Sequence, residues 1–132
     1  PHPTEAARLL NCATQEIQAD RLSALKAIVQ AYQSWVVLKG HETLIGAPDG
    51  TIITNPSGNP GLASGGTGDV LAGMIGALLA QGIPPQQAIA GATWLHGAAA
   101  DYLVSQGIGP IGLTASEVLI AARTLRNLLI NT

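Results

Sequence analysis

Asp69 is the residue whose type and setting are best suited to moving a proton. It closes "GGTGD" (65–69) and precedes an unbroken apolar run from Val70 to Ala80. A glycine-rich turn entering a helix gathers backbone N–H groups at the positive end of the helix dipole, and the missing side chains let an anion come close. A carboxylate beside such an anion hole can deprotonate a substrate hydroxyl while the amides stabilise a transferring phosphoryl group. Asp is also a favoured helix N-cap. Local pattern alone favours the cap, and one residue can do both. The loop lacks the Lys-Ser/Thr ending of a Walker A motif, and "GTGDVLAG" is G-x-G-x-x-x-G rather than the dinucleotide fingerprint.

Other chemistry-bearing residues are sparse. Cys12 is the single cysteine; with no Cys or His at ligand spacing nearby, it reads as a small core residue rather than a nucleophile. His96, in "WLHGAAAD", lies among small residues on a helix expected to be buried and reads as a helix-packing histidine. Trp94 and Asp101 read as packing and as cap or surface residues. Nothing in the chain has the spacing of a protein metal cage.

The elements that must position Asp69 follow from periodicity. Thr4 is expected to cap a short helix from Glu5 to Leu10. Asp20 to Gln33 carries Leu22, Leu25, Ile28, Val29 and Tyr32 at amphipathic spacing. "SWVVLKG" reads as a buried strand. "HETLIGAPDGTIITN" reads as a hairpin turning at Pro48, Asp49 and Gly50. "NPSGNPGLASGGTG" reads as a functional loop without regular structure. A helix from Val70 is apolar all round and expected to be buried. Gly82 suits its C′ position, Pro85 starts a helix to about Val104, and Thr114 with Glu117 forms the capping box of a last helix to about Leu129. The strands are few for so many apolar helix faces, as if a sheet were missing.

At 132 residues the chain has the length of one domain. It is 47% hydrophobic and 11% charged, with 16 Gly and no Phe, which excludes disorder. A net charge of −2 without a basic stripe gives no footprint for nucleic acid or an anionic membrane. The run Val70 to Ala80 falls short of the roughly 20 residues of a membrane-spanning helix. A soluble cytoplasmic protein is expected, with no nucleic acid and no membrane as partner. The all-apolar helix faces predict self-association.

The blocks "PHPTEAARLL", "VVLKGHETLI", "NPSGNPGLASGGTGDVLAGMIGALLAQG" and "AIAGATWLHGAAAD", in that order, resemble the ADP- or ATP-dependent NAD(P)H-hydrate dehydratases of the ribokinase-like superfamily. The resemblance implies an α/β, ribokinase-like layered fold. Residues 1–132 would be a single domain piece, the C-terminal part of the family domain: a strand, a hairpin, the anion-hole loop and a helical face. The family domain is about twice this length, so the N-terminal half would be absent. That agrees with the strand deficit and with a chain opening at Pro1.

The family removes water from hydrated NADH or NADPH: the ring hydroxyl is phosphorylated by ADP or ATP, and phosphate, a far better leaving group than hydroxide, then departs. By resemblance, Asp69 is the catalytic base and a substrate contact, with Gly66, Thr67 and Gly68 as the anion hole. His2 matches a substrate-contacting position. Lys39, Gly40, His41, Glu42 and Thr43 match the nucleotide-binding segment, where the Lys39 ammonium can meet phosphate. The commoner family form has a small residue in place of His41, whose side chain is left with no carried-over role. Asn59 and Gly61 match the loop lining the nucleotide and substrate side. Mg²⁺ is expected to accompany the nucleotide, held by phosphate oxygens and water. An N-terminal half, or a fused epimerase domain, would complete the protein. The other readings are a ribokinase-like kinase of a small alcohol and a non-catalytic nucleotide-binding fragment.

Overall fold

The first helix starts earlier than its sequence pattern suggests, because a histidine caps it. In the computed structural model, which describes residues 1–131, α1 spans Pro3–Leu10 with His2 as N-cap. The Glu5 amide donates to His2 Nδ1 (3.4 Å), and Glu5 Oε2 accepts from the His2 amide (2.8 Å). Pro3 takes the first helical position, where its fixed φ suits the turn and its missing N–H costs nothing. Thr4, the expected cap, therefore lies inside the helix.

Helix α2, Thr14–Ala19, is only 6 residues long, too short to show a period in the sequence. Helix α3, Arg21–Tyr32, is capped by Asp20, which accepts from the Ser23 amide (3.0 Å) and hydroxyl (2.7 Å). It buries Ala24, Leu25 and Ile28. Leu22 and Tyr32, expected on the buried face, are 43% and 53% exposed.

Strands β1 (Val36–Leu38), β2 (Leu44–Gly46) and β3 (Ile52–Thr54) form an antiparallel sheet in the order β1-β2-β3. Val37 faces Ile45, and Ile45 faces Ile53. The hairpin turn is built as its residues predict: Asp49 Oδ1 accepts from the Thr51 amide (2.8 Å), and Gly50 takes φ +94°.

Contacts divide the chain into two compact units at Asn55–Pro56. The first unit has its core at Ala6, Ala7, Ile17, Leu25, Ile28, Val36 and Leu38, and the half-buried Cys12 packs against it. Desolvation, then the Glu16 carboxylate, hold the Cys12 thiol above its ordinary pKa, so it fits the packing role.

The second unit contains a short 3-10 turn, Pro60–Ala63, followed by α4 (Thr67–Ala80), α5 (Pro85–Ser105) and α6 (Ala115–Ile130). The 3-10 turn lies inside the segment expected to lack regular structure. Pro60 presets its first φ, and Asn59 Oδ1 accepts from the Gly61 amide. Alanines let α5 and α6 approach closely around Ala99, Ala100, Leu103, Val118, Ala121 and Ala122.

Gly82 takes φ +82° past the end of α4, and the Glu117 carboxylate closes back on the Thr114 amide (2.8 Å), both as expected. The burial of α4 is not: only Thr67 and Leu71 are buried along it. Its packing partners in the unit are α5 and α6, which cover one side of a helix that is apolar on every side. Among the described residues no helix is long and apolar enough to cross a membrane.

Candidate functional site

Helix α4 begins at Thr67, with Gly66 as N-cap at φ +89°. Only glycine takes that left-handed turn without strain, and a Cβ there would also lie 3.3 Å from the Ala115 methyl. Asp69 is consequently the third helical residue and not the cap, which corrects the reading that local pattern favoured. An acidic side chain in the first turn faces the positive end of the helix dipole. Its carboxylate is exposed and accepts no hydrogen bond among the described residues.

The first intrahelical bond runs from the Val70 amide to the Gly66 carbonyl (3.1 Å). The amides of Gly65, Gly66, Gly68 and Asp69 have no protein acceptor among the described residues. The expected trio of Gly66, Thr67 and Gly68 is therefore modified at its centre. The Thr67 amide turns to the Ser64 carbonyl (3.4 Å), and its buried hydroxyl donates to Leu62 O (2.6 Å) and Ser64 O (3.0 Å). Thr67 is an anchor, and the free donors lie on either side of it.

Helix α5 fastens this loop. His96 is 6% exposed, and its Nε2 meets the Thr67 carbonyl at 2.9 Å; a carbonyl only accepts, so Nε2 carries the proton. This is the satisfied packing histidine that the sequence suggested. Asp101, read as a cap or surface residue, accepts from the Gly58 amide (2.9 Å) and from Asn59 Nδ2 (3.0 Å). Asn59 thus spends its side chain on the loop itself, donating to Asp101 and accepting from Gly61. Gly61 is buried, and a Cβ there would lie 3.0 Å from Leu113 Cδ1. Trp94 is 44% exposed and offers its carbonyl to Ser57 Oγ (2.9 Å). The Ser64 hydroxyl closes the far end on the Leu113 carbonyl (2.6 Å).

In the first unit, the segment Lys39–Thr43 is shaped by a residue that sequence reading passes over. Arg21 on α3 donates to three carbonyls: His41 (2.6 Å), Glu42 (3.3 Å) and Leu38 (3.2 Å). Its Nε is buried without a partner among the described residues. Gly40 leaves room beside it, since a Cβ there would lie 2.8 Å from the guanidinium and push it aside. Thr43 Oγ1 donates to the Gly40 carbonyl (3.2 Å), and Glu42 adopts φ +54°. With its carbonyls turned inward, the segment leaves the amides of His41, Glu42 and Thr43 without acceptors among the described residues. The His41 side chain is exposed. Lys39 donates its amide to the Pro1 carbonyl (2.8 Å), which brings it beside His2. His2 Nε2 contacts Glu5 Oε1 at 3.3 Å, so the ring of this predicted substrate contact is also part of a helix cap.

A family model described as NAD(P)H-hydrate dehydratase matches residues 1–120. The chain belongs to the NAD(P)H-hydrate dehydratase family. It is 52% identical over 127 residues to the ADP-dependent (S)-NAD(P)H-hydrate dehydratase of Neisseria meningitidis, covering 96% of this chain and 43% of that protein. The crystal structure of the Bacillus subtilis ADP/ATP-dependent NAD(P)H-hydrate dehydratase, co-crystallised with ATP/Mg²⁺, superposes with a TM-score of 0.91 at 36% identity, over 97% of this chain and 46% of that one. A ribokinase-like superfamily protein of Enterococcus faecalis matches with a TM-score of 0.71 at 33% identity, over 94% and 43%. The α/β, ribokinase-like fold class is thereby shown, and the chain spans less than half the length of these relatives. In this family member the signals for Arg21 and Asp101 were weak: a lone arginine opening a helix and a lone aspartate within one.

Proposed function

We propose that this chain is the anion-hole part of an enzyme that dehydrates hydrated NADH or NADPH at the expense of ADP or ATP. The observation that carries the reading is the entry to α4. Four free amides, of Gly65, Gly66, Gly68 and Asp69, adjoin an exposed carboxylate that is engaged with nothing else among the described residues. Family membership supplies the substrate class.

In this mechanism Asp69 takes the proton of the ring hydroxyl as its oxygen attacks the terminal phosphorus of the nucleotide. The P–O bond to the leaving AMP or ADP breaks, and the free amides hold the negative charge that builds on the phosphoryl oxygens. Elimination then expels phosphate with its C–O bonding pair, the ring loses a proton, and the double bond returns to give NADH or NADPH. Asn59 and Gly61 keep the loop in place, and Lys39 to Thr43 receive nucleotide phosphate through the Lys39 ammonium and the outward amides. Under this reading His2 contacts the substrate.

Among the described residues no three His, Cys, Asp or Glu side chains group as a metal site. Under this reading Mg²⁺ would be held mainly by phosphate oxygens and water. When bound, the ion neutralises phosphate charge. The open faces of α4 and α6, with Leu79 41%, Leu119 52% and Leu128 54% exposed, support assembly as a homo-oligomer.

The test is to incubate the full-length protein with hydrated NADH or NADPH and ADP or ATP and follow the return of reduced-nicotinamide absorbance. Recovery that needs nucleotide is expected. Absence of recovery, with phosphorylation of some other alcohol, would establish a ribokinase-like kinase instead; nucleotide binding without any turnover would leave a binding module.

A further inference from the structure

The loop before the anion hole rests on one face of α5, at positions spaced three and four apart. Ser57 Oγ donates to the Trp94 carbonyl (2.9 Å). Gly97 provides the room, since a Cβ there would lie 2.1 Å from that hydroxyl oxygen. One turn on, Asp101 receives the Gly58 amide on Oδ2 (2.9 Å) and Asn59 Nδ2 on Oδ1 (3.0 Å). Asn59 passes the constraint on, its Oδ1 accepting from the Gly61 amide (2.9 Å) at the start of the 3-10 turn. That turn ends at Ala63, and Ser64 leads directly into Gly65 and Gly66.

Resting on the dehydratase reading, we propose that Asp101 is a positioning residue for the reaction. Through Asn59 it sets the course of residues 58–61 and so aims the free amides of Gly65, Gly66, Gly68 and Asp69 before phosphate arrives. Asn59 acts in this relay and not by touching the substrate. Two donors converge on Asp101, and a carboxylate is the side chain of that length with an acceptor for each. An asparagine would satisfy one and turn an N–H₂ group against the other. Donors fixed in advance cost no reorganisation during reaction, which is where an anion hole gains its effect.

The experiment compares wild type, Asp101→Asn, Asn59→Asp and the exchanged pair Asn59→Asp/Asp101→Asn in the full-length protein. In the pair, the carboxamide placed at position 101 donates to the carboxylate placed at position 59 and accepts from the Gly58 amide. That carboxylate also accepts from the Gly61 amide, so every bond is rebuilt with the charge moved to the other side chain. Turnover of hydrated NADH and amide hydrogen exchange at Gly58 and Gly61 are the two readouts.

Each single variant should lower kcat about tenfold to hundredfold with KM within a few-fold, as expected of misplacement rather than lost binding. Amide exchange in the loop should quicken about tenfold, the equivalent of one modest hydrogen bond. The exchanged pair should recover most of both losses. Single variants with wild-type kcat and exchange overturn the proposal. So does slowed turnover with unchanged exchange, or a pair that regains protection but not kcat, because either assigns direct substrate contact to these side chains. If the wild type dehydrates nothing, the enzymatic reading alone falls, and exchange rates in the four proteins still decide the relay.

Discussion

Two backbone segments in this chain leave amides without acceptors among the described residues, and they do so in opposite ways. Lys39–Thr43 is gathered mainly by one side chain, Arg21, which takes the carbonyls of Leu38, His41 and Glu42, while Thr43 Oγ1 closes on the Gly40 carbonyl. The loop from Ser57 to Thr67 is fastened at several points: Ser57 on Trp94, Gly58 and Asn59 on Asp101, Ser64 on Leu113, and Thr67 on His96. The first arrangement pulls carbonyls inward and presents amides as the remainder. The second pins the flanks and leaves the amides of a helix terminus, which have no intrahelical partner in any case. A segment held chiefly by one guanidinium loses most of its shape when that residue is changed. A loop held at several points loses alignment by degrees.

The largest expected effect tests whether chemistry resides on only one of the two. Asp69→Asn keeps a short polar side chain in the first turn of α4, so the protein should fold, while kcat should fall by about 10²–10⁴-fold, the usual worth of a general base. Single-turnover measurement of hydrated NADH loss checks this, and full activity would remove Asp69 from the base role. Lys39→Ala should instead raise KM for nucleotide and spare much of kcat.

Next, Gly97→Ala forces a methyl against Ser57, where a Cβ would stand 2.1 Å from Oγ and 2.6 Å from the carbonyl carbon. Overpacking of this kind costs about 1–3 kcal/mol, measurable by urea unfolding. Gly73→Ala in α4, where a Cβ meets nothing within 4 Å among the described residues, should stabilise by about 0.5–1 kcal/mol. Equal outcomes at the two glycines would mean that the loop does not rest on α5 as described.

Arg21→Lys retains the charge but cannot span three carbonyls with one ammonium. It should weaken ADP or ATP binding about tenfold in calorimetry, the equivalent of about 1.4 kcal/mol, and leave the loop of the second unit unaltered in hydrogen exchange.

The smallest effect concerns the helix that carries Arg21. Hydrogen bonds from the Ser23 amide and hydroxyl hold the Asp20 carboxyl below its ordinary value of 3.8. A depressed folded-state pKa contributes stability that is complete above that ordinary value and is lost as pH falls through the lower one. Asp20→Asn, also a good cap, should leave neutral stability nearly unchanged and remove this part of the acid dependence in unfolding titrations carried from neutral pH to well below 3.8.

The sequence determined by itself whatever depended on local covalent chemistry. The hairpin at Pro48–Gly50, the start of α5 at Pro85, the Thr114–Glu117 box and the glycine at the end of α4 are all local, since each is set by a fixed φ, a positive φ or a side chain reaching its own backbone. The ordered motif blocks carried the family for the same reason, because a glycine-rich turn before a helix is contiguous in the chain. Tertiary structure decided what depends on partners distant in sequence. Arg21 reaches across 20 residues to His41 and Asp101 across 43 to Gly58, and neither residue type announces such a role. His2 displaced Thr4 as the cap because its ring could fold back on Glu5, and Asp69 moved inward once Gly66 took the left-handed turn. Thr67, expected among the anion-binding amides, became an anchor instead, because carbonyls of the loop converge on its hydroxyl only when the loop closes on α5.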